Sequence, residues 1–190
     1  MEFRAIPGNI NEFRHWAGTV RELGIVIVAK SEELLPAVKY NSNGLDCKAD
    51  LSEGILFRDR DNEEHSSKES KRDFISPMER ALIPLGFKVY MPTNCFMDIR
   101  PRSGIAWKNG IALLNSPGFI DNDYRDTVKA LLINLSLKKF EIHHGDRICQ
   151  AVFSKEYPIY IGANKEIFDR FEEFFPSARG RRGFGSTGVK

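Results

Sequence analysis

ALIPLGFKVYMPTNCFMDIR, residues 81–100, decides how the chain is read: Pro84, Gly86 and Pro92 cut an apolar stretch into pieces too short for a helix. Short runs of β-forming side chains between such breaks are strand signals. The signal continues outward on both sides. TVKALLINLS, 127–136, and RICQAVF, 147–153, show alternation or short apolar runs, and β character begins at GIVIVAK, from Gly24. No further strong helix is expected before about residue 164. The centre therefore reads as all-β, a sandwich or barrel of many short strands joined by Gly/Pro turns.

Helices are expected only at the flanks. Residues 9–23 place Ile10, Phe13, Trp16, Ala17, Val20 and Leu23 at helical spacing, with Asn9 and Glu12 as a cap-like pair and Gly24 just past the end. NKEIFDRFEEFF, 164–175, puts Ile167, Phe168, Phe171, Phe174 and Phe175 on one face before Pro176 stops it. RDRDNEEHSSKESKRD, 58–73, carries both signs of charge and nothing large and apolar, which predicts an exposed loop. The expected organisation is a helical extension over 1–23, a β domain over 24–176 with that loop inserted, and a Gly- and Arg-rich arm over 177–190.

The chain has 190 residues, and 28 basic side chains against 26 acidic ones leave a formal charge of +2, no general field for nucleic acid or membrane. Anion binding must be local. No stretch approaches the roughly 20 apolar residues of a membrane span, and the start lacks the apolar core of a signal peptide. Cys47, Cys95 and Cys149 form no CxxC pair and read as reduced, small packing residues. A soluble cytoplasmic protein is the expectation, or one of the nucleotide pool of an infected cell if the source is viral.

Four strings carry chemistry. PRSGIAWKNGI, 101–111, sets Ser103 and Gly104 between Arg102 and Lys108, a combination that can hold phosphate and also one that an ordinary turn would show. ALLNSPGFIDNDYRD, 112–126, reads as a hairpin about Ser116-Pro117-Gly118 with Asn115 at one shoulder and Asp121 at the other. Asp121 and Asp123 would point the same way in a strand, where like charges need an answering group; in a turn they would simply cap it. In HHGDRICQAVF, 143–153, Gln150 is either a satisfied core amide or a ligand contact, and His143 and His144 are strand-end residues without metal-ligand spacing. RGRRGFGSTG, 179–188, offers glycines that can wrap an anion, three arginines, and Phe184 as a face for a base; it lacks the ending of a Walker sequence.

In this order these strings resemble four of the five motifs of the trimeric dUTPase family, and NGLDCKA, 43–49, resembles the remaining one, with Asp46 on the acidic position and Leu45 in place of the usual aromatic. The match covers roughly residues 24–190. Asp126 and Arg182 stand where the family often has glycine. The resemblance implies a jelly-roll-type β-barrel, a homotrimer with shared active sites, and Mg²⁺-assisted hydrolysis of dUTP to dUMP and pyrophosphate. Asp121 would position the attacking water. Asn115 and the backbone around Phe119 and Ile120 would read uracil, and Tyr124 would pack on the deoxyribose. Arg102, Ser103, Gly104 and Gln150 would hold phosphates, and Lys129 matches a variable substrate-contacting position. Asp46 would face the metal through water. The arm would close with Phe184 over uracil and Arg179, Gly185, Ser186 and Thr187 on the phosphates. No direct binding of nucleic acid or membrane is implied. A dCTP deaminase of the same fold is the enzyme alternative, and a nucleotide-gated partner-binding homologue the non-enzymatic one.

Overall fold

The computed structural model describes residues 6–20, 24–38, 43–70 and 72–155. These fall within one compact unit over residues 1–156. The Phe-rich stripe and all five arm residues named above lie outside the described residues.

Helix α1, Ile10–Val20, forms where the apolar spacing predicts it, and the Glu12 N–H donates to Asn9 Oδ1 at 2.9 Å as the cap requires. Fourteen strands are found among the described residues: β1 Val26–Ala29, β2 Ala37–Val38, β3 Leu45–Lys48, β4 Leu56–Arg58, β5 Glu64–Ser66, β6 Phe74–Ile75, β7 Arg80–Pro84, β8 Phe87–Tyr90, β9 Cys95–Pro101, β10 Ile111–Leu113, β11 Gly118–Ile120, β12 Lys129–Asn134, β13 Phe140–Glu141 and β14 Arg147–Lys155. They form two five-stranded sheets, ordered β10-β12-β7-β4-β5 and β11-β9-β14-β3-β2, and two strand pairs, β1-β8 and β13-β6. Alternation explains the layering. In β7 and β12 every second residue, Ala81 and Ile83 or Ala130 and Leu132, points into the core. From the other sheet Leu45, Cys47, Met97, Ile99, Cys149 and Ala151 enter the same cluster, around Phe57 and Phe87. Each large apolar side chain buried there contributes about 1.5–3 kcal/mol. The result is the expected jelly-roll-type β-barrel. None of the described helices is long and apolar enough to cross a membrane.

Four local expectations are corrected. Residues 112–121 are not a hairpin: β10 pairs with β12 and β11 with β9, so Ser116-Pro117-Gly118 carries the chain from one sheet to the other. Asp121 and Asp123 are not in a strand; they sit in a turn closed by Tyr124 N–H to Asp121 O at 3.2 Å. The segment 103–109 is not an open turn but helix α3, Ser103–Asn109, ended by Gly110 at φ 68°, where a Cβ would lie 3.2 Å from the Ser136 backbone nitrogen. Finally, the charged loop is partly regular, with β4 and β5 paired across it and a short helix α2, Ser67–Ser70.

Candidate functional site

One half of the site is an arginine cradle built on a buried carboxylate. Asp46 on β3 lies directly opposite Gln150 on β14, which is opposite Arg100 on β9. Arg102 follows the end of β9 at the position preceding α3 and reaches back: Nε donates to Asp46 Oδ1 at 3.0 Å and Nη2 to Oδ2 at 3.2 Å. Such a two-point fork fixes the guanidinium plane as well as its charge. Gln150 Nε2 donates to Asp46 Oδ1 at 3.0 Å, and Arg147 Nη1 lies 3.4 Å from Oδ2. Asp46 is only 2% exposed, so these donors compensate a charge that would otherwise be costly to bury. Two arginines against one carboxylate leave a net positive cradle. Ser103 and Gly104 are exposed beside it, and Gly104 has open space where a Cβ would stand.

Arg147 is the member that sequence reasoning misses. In an uninterrupted strand Arg147 and Gln150, three apart, would face opposite sides. The register between β14 and β3 shifts between Arg147 and Cys149, from Arg147↔Lys48 to Cys149↔Cys47, so β14 holds one extra residue there. That bulge turns Arg147 onto the face of Gln150 and Asp46. The charged residue after Gly145-Asp146 is visible in the sequence; the bulge that aims it is not.

The other half is the connection between the sheets and the turn after it. Asn115 folds across Gly118, where a Cβ would come 3.4 Å from Asn115 Nδ2. Phe119 is half exposed and stacks on Phe96 with ring centroids 4.6 Å apart. Ile120 packs against the core, and Asp121 follows it, exposed. Asn122 Nδ2 donates to Thr93 O at 2.8 Å, and Tyr124 donates its hydroxyl to Thr127 O at 3.2 Å. Lys129 pairs with Asp126 at 3.0 Å. Asp126 is thereby held below its usual range, by Lys129 first and the Thr127 N–H second, and Lys129 is raised, chiefly by Asp126.

Asp121 and Arg102 do not meet within one chain. Ile120 is opposite Met97, so Asp121 follows on beside Phe96, near the start of β9, whereas Arg102 lies past its other end. Six residues at about 3.3 Å each separate them by roughly 20 Å. No group of three or more His, Cys, Asp or Glu side chains able to hold a metal is found among the described residues. Asp46 is the carboxylate of the cradle, and four donor contacts already match its roughly four acceptor sites. The protein side chains described thus form no cage for an ion; a divalent ion fits as one carried on phosphate oxygens and water.

The dUTPase family model matches residues 68–188. Deoxyuridine 5'-triphosphate nucleotidohydrolase of Cytophaga hutchinsonii is 38% identical over 165 residues, covering 86% of this chain and 91% of that protein. The Treponema denticola protein of the same name is 38% identical over 161 residues, covering 84% and 94%. Among solved structures, dUTPase from Streptococcus mutans superposes with a TM-score of 0.57 at 24% identity, covering 73% of this chain and 99% of that one. A Staphylococcus bacteriophage 80alpha dUTPase mutant with dUpNHpp gives 0.61 at 18% identity, covering 88% and 99%. A mutant dUTPase from phage phi11 of S. aureus, described with a coordinated structural Mg(II) ion, gives 0.57 at 15%, covering 74% and 96%. At these identities the structures show a shared fold, while the family match and the two bacterial sequences go further: the chain belongs to the dUTPase family.

Proposed function

We propose that this chain is a dUTP diphosphatase that hydrolyses dUTP to dUMP and pyrophosphate. The observation that carries the reading is the buried Asp46 gripping Arg102 and Gln150, a preformed anion cradle in a chain of this family. In the reaction a water attacks the α-phosphorus in line, the Pα–O bond to the β-phosphate breaks, and pyrophosphate leaves. Asp121 orients the water and accepts its proton. Arg102, Ser103, Gly104 and Gln150 hold the phosphates, and Arg147 adds charge beside them. Asn115 and the backbone of Phe119 and Ile120 read uracil, Tyr124 excludes a ribose hydroxyl by contact, and Lys129 faces the nucleotide anion. Arg179, Phe184, Gly185, Ser186 and Thr187 close over it.

Mg²⁺, when bound with the substrate, would supply charge neutralisation at the phosphates. Asp46 would act on the ion only through water, while it holds Arg102 and Gln150 in place. The roughly 20 Å between Asp121 and Arg102 supports assembly of each site from more than one copy, and a homotrimer with shared sites satisfies it. The test is a hydrolysis panel of dUTP, dTTP, UTP and dCTP with Mg²⁺ and with chelator. Pyrophosphate release from dUTP alone, abolished by chelator and restored by Mg²⁺, is expected. Ammonia release from dCTP, or no turnover of dUTP, overturns the reading.

A further inference from the structure

The Asp126–Lys129 pair lies outside the cradle and next to the Tyr124 turn. Lys129 opens β12, two residues before Leu131, whose carbonyl accepts the Leu114 N–H at 2.9 Å, so the lysine lies close to the connection bearing Asn115. Asp126 Oδ1 accepts the Thr127 N–H at 2.7 Å, and Thr127 O accepts the Tyr124 hydroxyl at 3.2 Å. One short turn therefore pins the carboxylate and the phenol together. Val128 N–H to Phe87 O at 3.0 Å brings the strand of Lys88 alongside, and Lys88 acts on Asp126 through space, as Glu53 does on Lys129. The Asp126 side chain is 62% exposed and that of Lys129 36%, so both charges face the solvent from which a polyanion would approach.

We propose that Asp126 is an affinity-setting residue: its carboxylate neutralises Lys129 beside the Tyr124 turn and keeps nucleotide affinity below what the free ammonium would give. The inference rests on the dUTP diphosphatase reading. A triphosphate coming within a Debye length, about 8 Å at physiological salt, meets repulsion from Asp126 as well as attraction from Lys129 and Lys88. Removing one negative charge shifts that balance towards binding. Because the pair is solvent-screened, the effect is modest, about two- to five-fold.

Asp126→Asn is the informative variant, since its amide oxygen still accepts the Thr127 N–H while the charge is gone. Its KM for dUTP is expected to fall two- to five-fold at low ionic strength, with kcat little changed and the gain shrinking as salt rises. The gain should vanish in a Lys129→Met background. Calorimetric binding of a non-hydrolysable imido analogue of dUTP should show the same pattern without reference to turnover. An unchanged or raised KM in Asp126→Asn, or a gain that persists with Lys129→Met, overturns the proposal. Wild-type protein that binds the analogue but does not hydrolyse dUTP would instead sink the functional reading, and analogue binding would still decide the role of Asp126.

Discussion

Asp46 and Asp121 are both carboxylates, and their surroundings differ as the separate roles proposed for them require. Asp46 is buried under four donor contacts, a strut for the cradle, whereas Asp121 is exposed at a turn where substrate and water can reach it. Asp121→Asn should leave analogue binding largely intact and lower turnover by about 10² or more; near wild-type rates would remove it from the chemistry. Asp46→Ala should behave differently, losing about 3 kcal/mol of stability because Arg102, only 19% exposed, keeps its charge without its carboxylate. Urea unfolding measures that loss, and a change below 1 kcal/mol would show that the cradle relaxes freely. Residue types were legible at this scale: an exposed acid in NSPGFIDND, and an amide inside an apolar strand, both invite a chemical role. What Gln150 touches was not, because Asp46 is 104 residues away in the chain.

Asp50, just past β3, shows how elements are tied at their ends. Its side chain is fully buried, accepts hydrogen bonds from Ser52 Oγ at 2.6 Å and Ser52 N–H at 3.0 Å, and lies 3.0 Å from Lys30 Nζ after β1. Burial by itself raises its pKa, but the Ser52 and Lys30 contacts outweigh that, and the folded value lies below the ordinary 3.8. A depressed folded pKa means stability that is present above the unfolded value and lost as pH falls through the folded one. Asp50→Asn should therefore cost about 1–3 kcal/mol at pH 7. The gap between variant and wild type should close below about pH 4, as wild type forfeits the same contribution. Denaturant unfolding at pH 7 and pH 3 checks this, and an equal gap at both would assign the loss to packing. Strand signals over 81–100 and 127–136 translated directly into β7, β8, β9 and β12 because alternation and breakers are local. The connection at Ser116-Pro117-Gly118 did not, because a turn sequence cannot say whether the following strand pairs with its predecessor or crosses to another sheet.

At the scale of the whole molecule the separation of Asp121 from Arg102 along β9 is what motivates the proposed trimer with shared sites. Light scattering should give a trimer, and protein ending at Ser177 should keep fold and trimer, since only Phe184 among the deleted residues is large and apolar, yet lose most of its turnover. Full activity in a monomer, or equal rates with and without residues 178–190, would each overturn this picture. The sequence by itself determined the β class, the capped helix at Ile10–Val20, the family and the kinds of side chain available for phosphate chemistry, because these depend on local spacing and ordered motifs. Only the tertiary structure decided which charges meet. The fork of Arg102 on Asp46, the bulge that swings Arg147 to the same carboxylate, and the placing of Asp121 at the opposite end of β9 all follow from strand register. Register is set by the packing of side chains far apart in the chain, which no local pattern encodes.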